Sequence, residues 1–167
     1  MPDTRLKTFL DNEHVKYVSI GHSPAFTAQE VAATAHIPGK ELAKTVMVKL
    51  GGKMAMAVVP ASHRVDLDRL CEAAGASEAE IASEPEFRGL FPNCDLGAMP
   101  PFGNLWEMPV YVSSALAEDL EIAFSAGSHS EVIRLAYDDF ARLVQPVVAS
   151  FSTKTLPGPP RDRRGIE

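Results

Sequence analysis

The sequence predicts an α+β domain, on three observations. Hydrophobic patterns of helical and of strand period are mixed along the chain without strict strand–helix–strand alternation. Two apolar runs, Ala43 to Leu50 and Met54 to Val59, are joined by Gly51-Gly52, a pair that tolerates the positive φ of a tight hairpin. Three more strand-like runs crowd into the second half, close enough to pair as antiparallel neighbours. The length, 167 residues with 46% hydrophobic, suits one domain. A chain of this size buries roughly two-thirds of its unfolded surface and needs no metal or disulfide to hold it. The domain is expected over residues 1–150. Residues 151–167 are expected to be a mobile tail, because from about Ser150 the composition turns to Pro, Gly and Arg.

The elements follow in order. Leu6, Phe9 and Leu10 recur at helical spacing behind Thr4, a candidate cap. Val15 to Ile20 is rich in β-branched and aromatic residues and reads as a strand, which Gly21-His22-Ser23-Pro24 breaks. Thr27-Ala28-Gln29-Glu30 is a capping box, and its helix runs through Val31 and Ala35 to stop before Pro38-Gly39. After the hairpin, Asp66 caps a helix that places Leu67, Leu70, Cys71 and Ala74 on one side and ends at Gly75. Ser83-Glu84-Pro85-Glu86 opens a shorter one, soon broken by Gly89 and Pro92. A loop over Asp95–Gly103 contains two glycines and two prolines. Strands are read at Pro109–Ser113, Glu121–Ala126 and Glu131–Leu135, and a closing helix at Tyr137–Val144.

Charge and composition exclude several classes. Sixteen Lys+Arg against 22 Asp+Glu give a net charge of −6, which argues against broad, charge-driven coating of nucleic acid and leaves room only for local basic patches. No apolar run reaches the ~18 residues of a membrane span, and no secretory leader is recognisable behind Met1. Two cysteines, Cys71 and Cys94, make neither a disulfide framework nor a metal cluster. The histidines His14, His22, His36, His63 and His129 lack the paired spacing of a metal site, so no cofactor is expected. A cytoplasmic protein is expected.

Three segments could carry chemistry. Lys44 alternates onto the same strand face as Val46, Val48 and Leu50. A lysine there either extends past the strand to water or places its ammonium in a sheltered cavity, where it can hold a carbonyl, carboxylate or phosphate oxygen. The loop Gly97-Ala98-Met99-Pro100-Pro101-Phe102-Gly103 is the second: its glycines allow close backbone approach to a ligand and its prolines stiffen it. The plain alternative is a connector. The third, Phe124-Ser125-Ala126-Gly127-Ser128-His129, sets small hydroxyls and an imidazole at a hairpin tip, where His129 is either a base or an ordinary polar cap. Nothing local activates Cys94 as a nucleophile, and phosphate- and dinucleotide-binding fingerprints are absent.

These three segments, in this order, resemble the YbaK/ProX family of aminoacyl-tRNA deacylases, which includes the editing domain inserted in many bacterial prolyl-tRNA synthetases and its free-standing relatives. The matching features are Lys44-Thr45 opening an apolar strand, Gly51-Gly52-Lys53 before a second strand ending at Val59-Pro60, the Gly97–Gly103 loop as a Gly-x-x-x-Pro loop, and Ser125-Ala126-Gly127 before the last strand. The likeness spans roughly residues 4–148. It implies a mixed, barrel-like sheet surrounded by helices and a pocket for the 3′ end of a charged tRNA. It also implies hydrolysis of the ester joining a wrong amino acid to the terminal adenosine.

Carried over by position, Lys44 is the catalytic or orienting residue. Thr45, the Gly97, Ala98, Met99, Pro100, Pro101, Phe102 and Gly103 loop, and Ser125, Ala126, Gly127 and His129 bind substrate. The implied partner is an aminoacyl-tRNA acceptor end, from tRNA-Pro or a related tRNA carrying Ala, Cys, Ser or Thr, with a synthetase or elongation factor as a possible aid. Where cysteinyl-type members carry Gly-Lys-Arg-Gly this chain has Gly127-Ser128-His129-Ser130, and where alanyl-type members carry Asn it has Thr45, so the amino acid stays open. Two readings compete with an active deacylase: a binding module of the same fold that has lost catalysis, and an unrelated hydrolase built on Cys94 or His129.

Overall fold

The computed structural model describes residues 5–25, 27–92 and 94–154. In chain order the elements are α1 (Arg5–Asn12), β1 (Tyr17–Gly21), α2 (Ala28–Thr34), β2 (Leu42–Leu50), β3 (Lys53–Pro60), β4 (His63–Val65), α3 (Leu67–Ala74), β5 (Ala79–Ile81) and α4 (Glu84–Phe87). There follow β6 (Val110–Ser113), α5 (Ser114–Ala117), β7 (Glu121–Ser125), β8 (Glu131–Ala136), α6 (Tyr137–Val144), β9 (Val147–Ala149) and β10 (Ser152–Lys154). Single 3-10 turns at Arg88–Leu90 and Gly103–Trp106 flank the proline-rich loop.

Local chemistry sets many of these boundaries. Thr27 accepts from the Glu30 amide while the Glu30 carboxylate accepts from the Thr27 amide, so both ends of the capping box close. Asp66 accepts from the Arg69 amide at the head of α3, and Gly75 ends that helix in the left-handed region at φ 66°. Gly51 and Gly52, at φ 59° and 85°, turn β2 into β3 with Lys44 opposite Val59 and Leu50 opposite Lys53.

The sheet is mixed. Its strand order is β1-β8-β7-β2-β3-β6-β9, with β5 added beside β2, and β4 pairs with β10 in a separate ribbon. The expected antiparallel neighbours, β2 with β3 and β7 with β8, form as hairpins. Pairs β2–β7, β3–β6 and β6–β9 are parallel. Those pairings join distant segments and follow from no local pattern.

Three apolar clusters hold the layers. One packs α1 and α6 on the face carrying Met47, Val58 and Phe124, around the fully buried Phe102 and its ring neighbours Phe124 and Phe140. A second seats α2 (Val31, Ala32) on Leu42, Ala123 and Val132. The third seats α3 through Leu70 on Val48, Val59 and Phe151. Lys44 lies on the strand face between Leu42 of the second cluster and Val46 and Val48 of the third, and so at the seam between them.

The expected domain boundary near residue 150 moves outward. Phe151 is wholly buried, and Ser152–Lys154 pair with His63–Val65. A strand of three polar residues has too short a pattern to read, yet its aromatic neighbour completes a core. The expected mobile tail beyond Lys154 and the expected Thr4 cap lie outside the described residues.

Candidate functional site

β2 and β7 run parallel but pair only at Leu42 with Ala123 and Ala43 with Phe124 before they part. β2 is joined on that edge again only by β5, from Val48 onward. Lys44, Thr45 and Val46 are left without a strand neighbour on that side, and Ser125 is the next residue of β7 past its last pair. A cavity of about 30 Å³ opens there, lined by Thr27, Ala28 and Val31 from the start of α2, Leu42–Thr45 of β2, Gly97, Met99, Ser125 and His129. That volume holds a water or two but not an aminoacyl-adenosine, so only the smallest part of such a ligand fits inside.

Two polar groups at this cavity are uncommitted. The Lys44 ammonium is half-buried and makes no ion pair or side-chain hydrogen bond among the described residues; burial pushes its pKa below the usual lysine value. Thr45 has a buried hydroxyl with no partner among the described residues. A buried polar group without a partner weakens the fold and so points toward a missing ligand or water.

Three backbone segments are clasped around the opening. The Asp95 amide donates to the Gly127 carbonyl (2.8 Å) and the Gly127 amide to the Ala98 carbonyl (2.9 Å). The Asp95 carboxylate accepts from the His129 amide at 3.0 Å. The loop leading to α2 joins the same tip, the Ala25 amide donating to the His129 carbonyl at 3.0 Å and the His22 amide to Ser130 at 2.8 Å. Gly97 and Gly127, at φ 86° and 97°, adopt the left-handed backbone this clasp requires. The His129 ring lies over Gly97, 3.9 Å from where a β-carbon would stand.

The structure therefore brings together Lys44, Thr45, Gly97, Met99, Ser125 and His129. Ala98 and Gly127 stand behind them as clasp residues, and Ala126 ties its amide to Glu131. Pro100, Pro101, Phe102 and Gly103 do not line the cavity: they are buried in the main core, where a β-carbon on Gly103 would stand 2.5 Å from the Met108 carbonyl oxygen. Cys94 is also outside it, with its Sγ packed toward Gly127. Sequence reasoning missed Thr27, Ala28, Val31 and Asp95 as parts of the site. The capping box at Thr27 was legible, but that it also walls a cavity depends on the docking of α2. Larger cavities lie elsewhere, such as the acidic one of about 360 Å³ bordered by Glu41, Glu118, Asp119 and Glu121. At the Lys44 cavity the two uncommitted groups of β2 are bordered by residues of α2, the glycine-proline loop and the β7–β8 tip.

Fold and site together define a class: a small α+β domain with a mixed eight-stranded sheet that presents a lysine at a narrow cavity between parting strands. The chain belongs to the aminoacyl-tRNA editing domain family, which it matches over residues 22–143. The same fold occurs in hypothetical protein APE2540, with a TM-score of 0.80 and 19% identity over 89% of this chain and 99% of that one. It occurs also in a candidate trans-editing enzyme for prolyl tRNA synthetase, with a TM-score of 0.75 and 22% identity over 89% and 95% of the two chains. Among curated proteins, the proline–tRNA ligase of Bacillus cytotoxicus is 32% identical over 89 residues, and that of Bacillus mycoides 28%. The match takes in 53% of this chain but only 16% of either ligase. Among the described residues no helix is long and apolar enough to cross a membrane.

Proposed function

We propose that this protein deacylates mischarged tRNA in trans, cleaving the ester between a small amino acid and the terminal adenosine. The observation that carries the reading is the uncommitted Lys44 ammonium at a cavity of an aminoacyl-tRNA editing domain. Water adds to the ester carbonyl, the carbonyl oxygen gains negative charge, and the bond to the ribose oxygen breaks to release amino acid and tRNA. A fixed cation and fixed amides stabilise that developing charge better than bulk water, since they need not reorganise as it forms. Lys44 supplies the cation and orients the ester, and the Gly97–Met99 backbone borders the same space. With room for only a small part of the aminoacyl group, the cavity favours short side chains over larger ones. No covalent nucleophile is needed.

The test is single-turnover deacylation of tRNA-Pro charged with alanine, cysteine, serine or threonine. At least one ester should be cleared, and Lys44→Ala should slow that reaction by about 10²–10³, the effect of removing one oxyanion donor. Lys44→Arg should restore only part, because a planar fork does not reproduce a compact ammonium. Undiminished activity in Lys44→Ala, or no hydrolysis of any ester, refutes the proposal.

A further inference from the structure

Outside the cavity, the structure holds a second polar constellation that the deacylase reading does not use. His63, at the start of β4, places Nδ1 2.8 Å from the Ser152 hydroxyl of β10, and Ser152 lies 2.7 Å from the Ser113 hydroxyl at the end of β6. Ser113 is 2% exposed and its oxygen already accepts from the Ala115 amide at 3.2 Å. These contacts fix the direction of the chain. If Ser152 donated to Ser113, the Ser113 proton would be buried with no acceptor among the described residues. Ser113 therefore donates to Ser152, Ser152 donates to Nδ1, and the imidazole keeps its own proton on Nε2.

The constellation adjoins the Lys44 strand. Ala43 pairs with Pro60, the Ala61 amide donates to the Leu42 carbonyl at 2.7 Å, and His63 follows two residues on. Two cations act on the ring, Lys154 from β10 and Lys44 from β2. Burial first, then these charges, push the His63 pKa below its ordinary value.

We propose that His63 is a positioning residue for Lys44, held uncharged by the one-way hydroxyl chain so that no second positive charge forms beside the substrate-orienting ammonium at neutral pH. The proposal rests on the reading of Lys44 given above. Protonation at Nδ1 turns that nitrogen into a donor, so Ser152 must turn its proton toward Ser113 and leave the Ser113 proton unpaired in the core. The new charge also repels Lys44. Acid therefore loosens β10 from β4 and displaces the ammonium in one event.

The experiment follows the His63 ring resonance by NMR against pH, identified by its loss in His63→Gln. In the parent protein it should titrate below the ~6.5 of a free imidazole. Ser152→Ala, which removes the hydrogen bond that favours the neutral ring, should move the midpoint up. Lys44→Gln, which removes a repelling charge, should also move it up. A midpoint unmoved by either substitution, or at the free value in the parent, overturns the proposal. Single-turnover deacylation supplies the functional arm. The parent rate should fall about tenfold per pH unit below the His63 midpoint, as for one essential unprotonated group. His63→Gln, which keeps an acceptor for Ser152 but cannot charge, should flatten that limb; an identical acid limb in His63→Gln refutes the positioning role. If no tRNA ester is cleaved by any variant, the deacylase reading fails, while the NMR shifts still decide whether His63 and Lys44 are coupled.

Discussion

Burial opposes the charge of Lys44, and among the described residues no carboxylate pairs with it. Its folded pKa lies below the unfolded value of ~10.4, so the unfolded chain binds more protons between the two, and stability rises as pH climbs through that window. Replacing the ammonium by an apolar side chain of similar length should therefore stabilise the fold: Lys44→Met should melt at or above the parent temperature at pH 7 while deacylation collapses. Melting well below the parent would mean that the amine has a structural partner. Gly103 carries the opposite prediction. A β-carbon there meets the Met108 carbonyl oxygen at 2.5 Å and the Val110 side chain at 2.7 Å, so Gly103→Ala should lose about 1–3 kcal/mol in urea denaturation. Residue-scale reading of the sequence reached Lys44 because strand alternation shows which side chains share a face. It could not reach the orphan hydroxyl of Thr45, because that burial arises only where β2 and β7 part.

At the scale of elements, the site depends on segments tied by backbone hydrogen bonds. Asp95 links the glycine-proline loop to the β7–β8 tip through its amide and its carboxylate. Asp95→Ala removes only the carboxylate, and with it the bond from the His129 amide, and should weaken substrate binding more than it lowers the melting temperature. A titration with a non-hydrolysable aminoacyl-adenosine analogue reads this directly, and unchanged affinity would show that the tip is held by other contacts. The β2–β3 hairpin and the capped helices α2 and α3 were legible because their signals are local: two adjacent glycines, or a hydroxyl or carboxylate three residues ahead of the amide it accepts from. β5, β9 and β10 have three residues each, too few for a period to show. The parallel pairings depend on contacts between segments tens of residues apart. The order of the candidate segments could be read from the sequence, but their convergence at one cavity could not.

For the whole molecule, the question is where the folded body ends. Composition placed the limit near Ser150; packing places it no earlier than Lys154. Phe151 is wholly buried against Val59 and Leu70, and Ser152 carries the hydroxyl chain to His63. A chain ended after Ser150 loses both, and removal of a buried aromatic side chain alone costs on the order of 3–5 kcal/mol. A chain ended after Leu156 keeps both, and the residues it loses are mostly proline, glycine and charged side chains. The two truncations should therefore part sharply, the first losing much of its stability and the second melting within a few degrees of the parent. Their pH dependence should part as well. The His63 pKa is lowered in the fold, so its contribution to stability is present above about 6.5 and is lost as pH falls through the folded value. The chain that keeps Ser152 should lose stability over that acid window, and the one without it should lose less, because its imidazole is no longer held neutral. Chemical denaturation of both chains at pH 7.5 and at pH 5 measures the difference. Equal losses in the two would show that the acid sensitivity of the fold arises elsewhere than at His63.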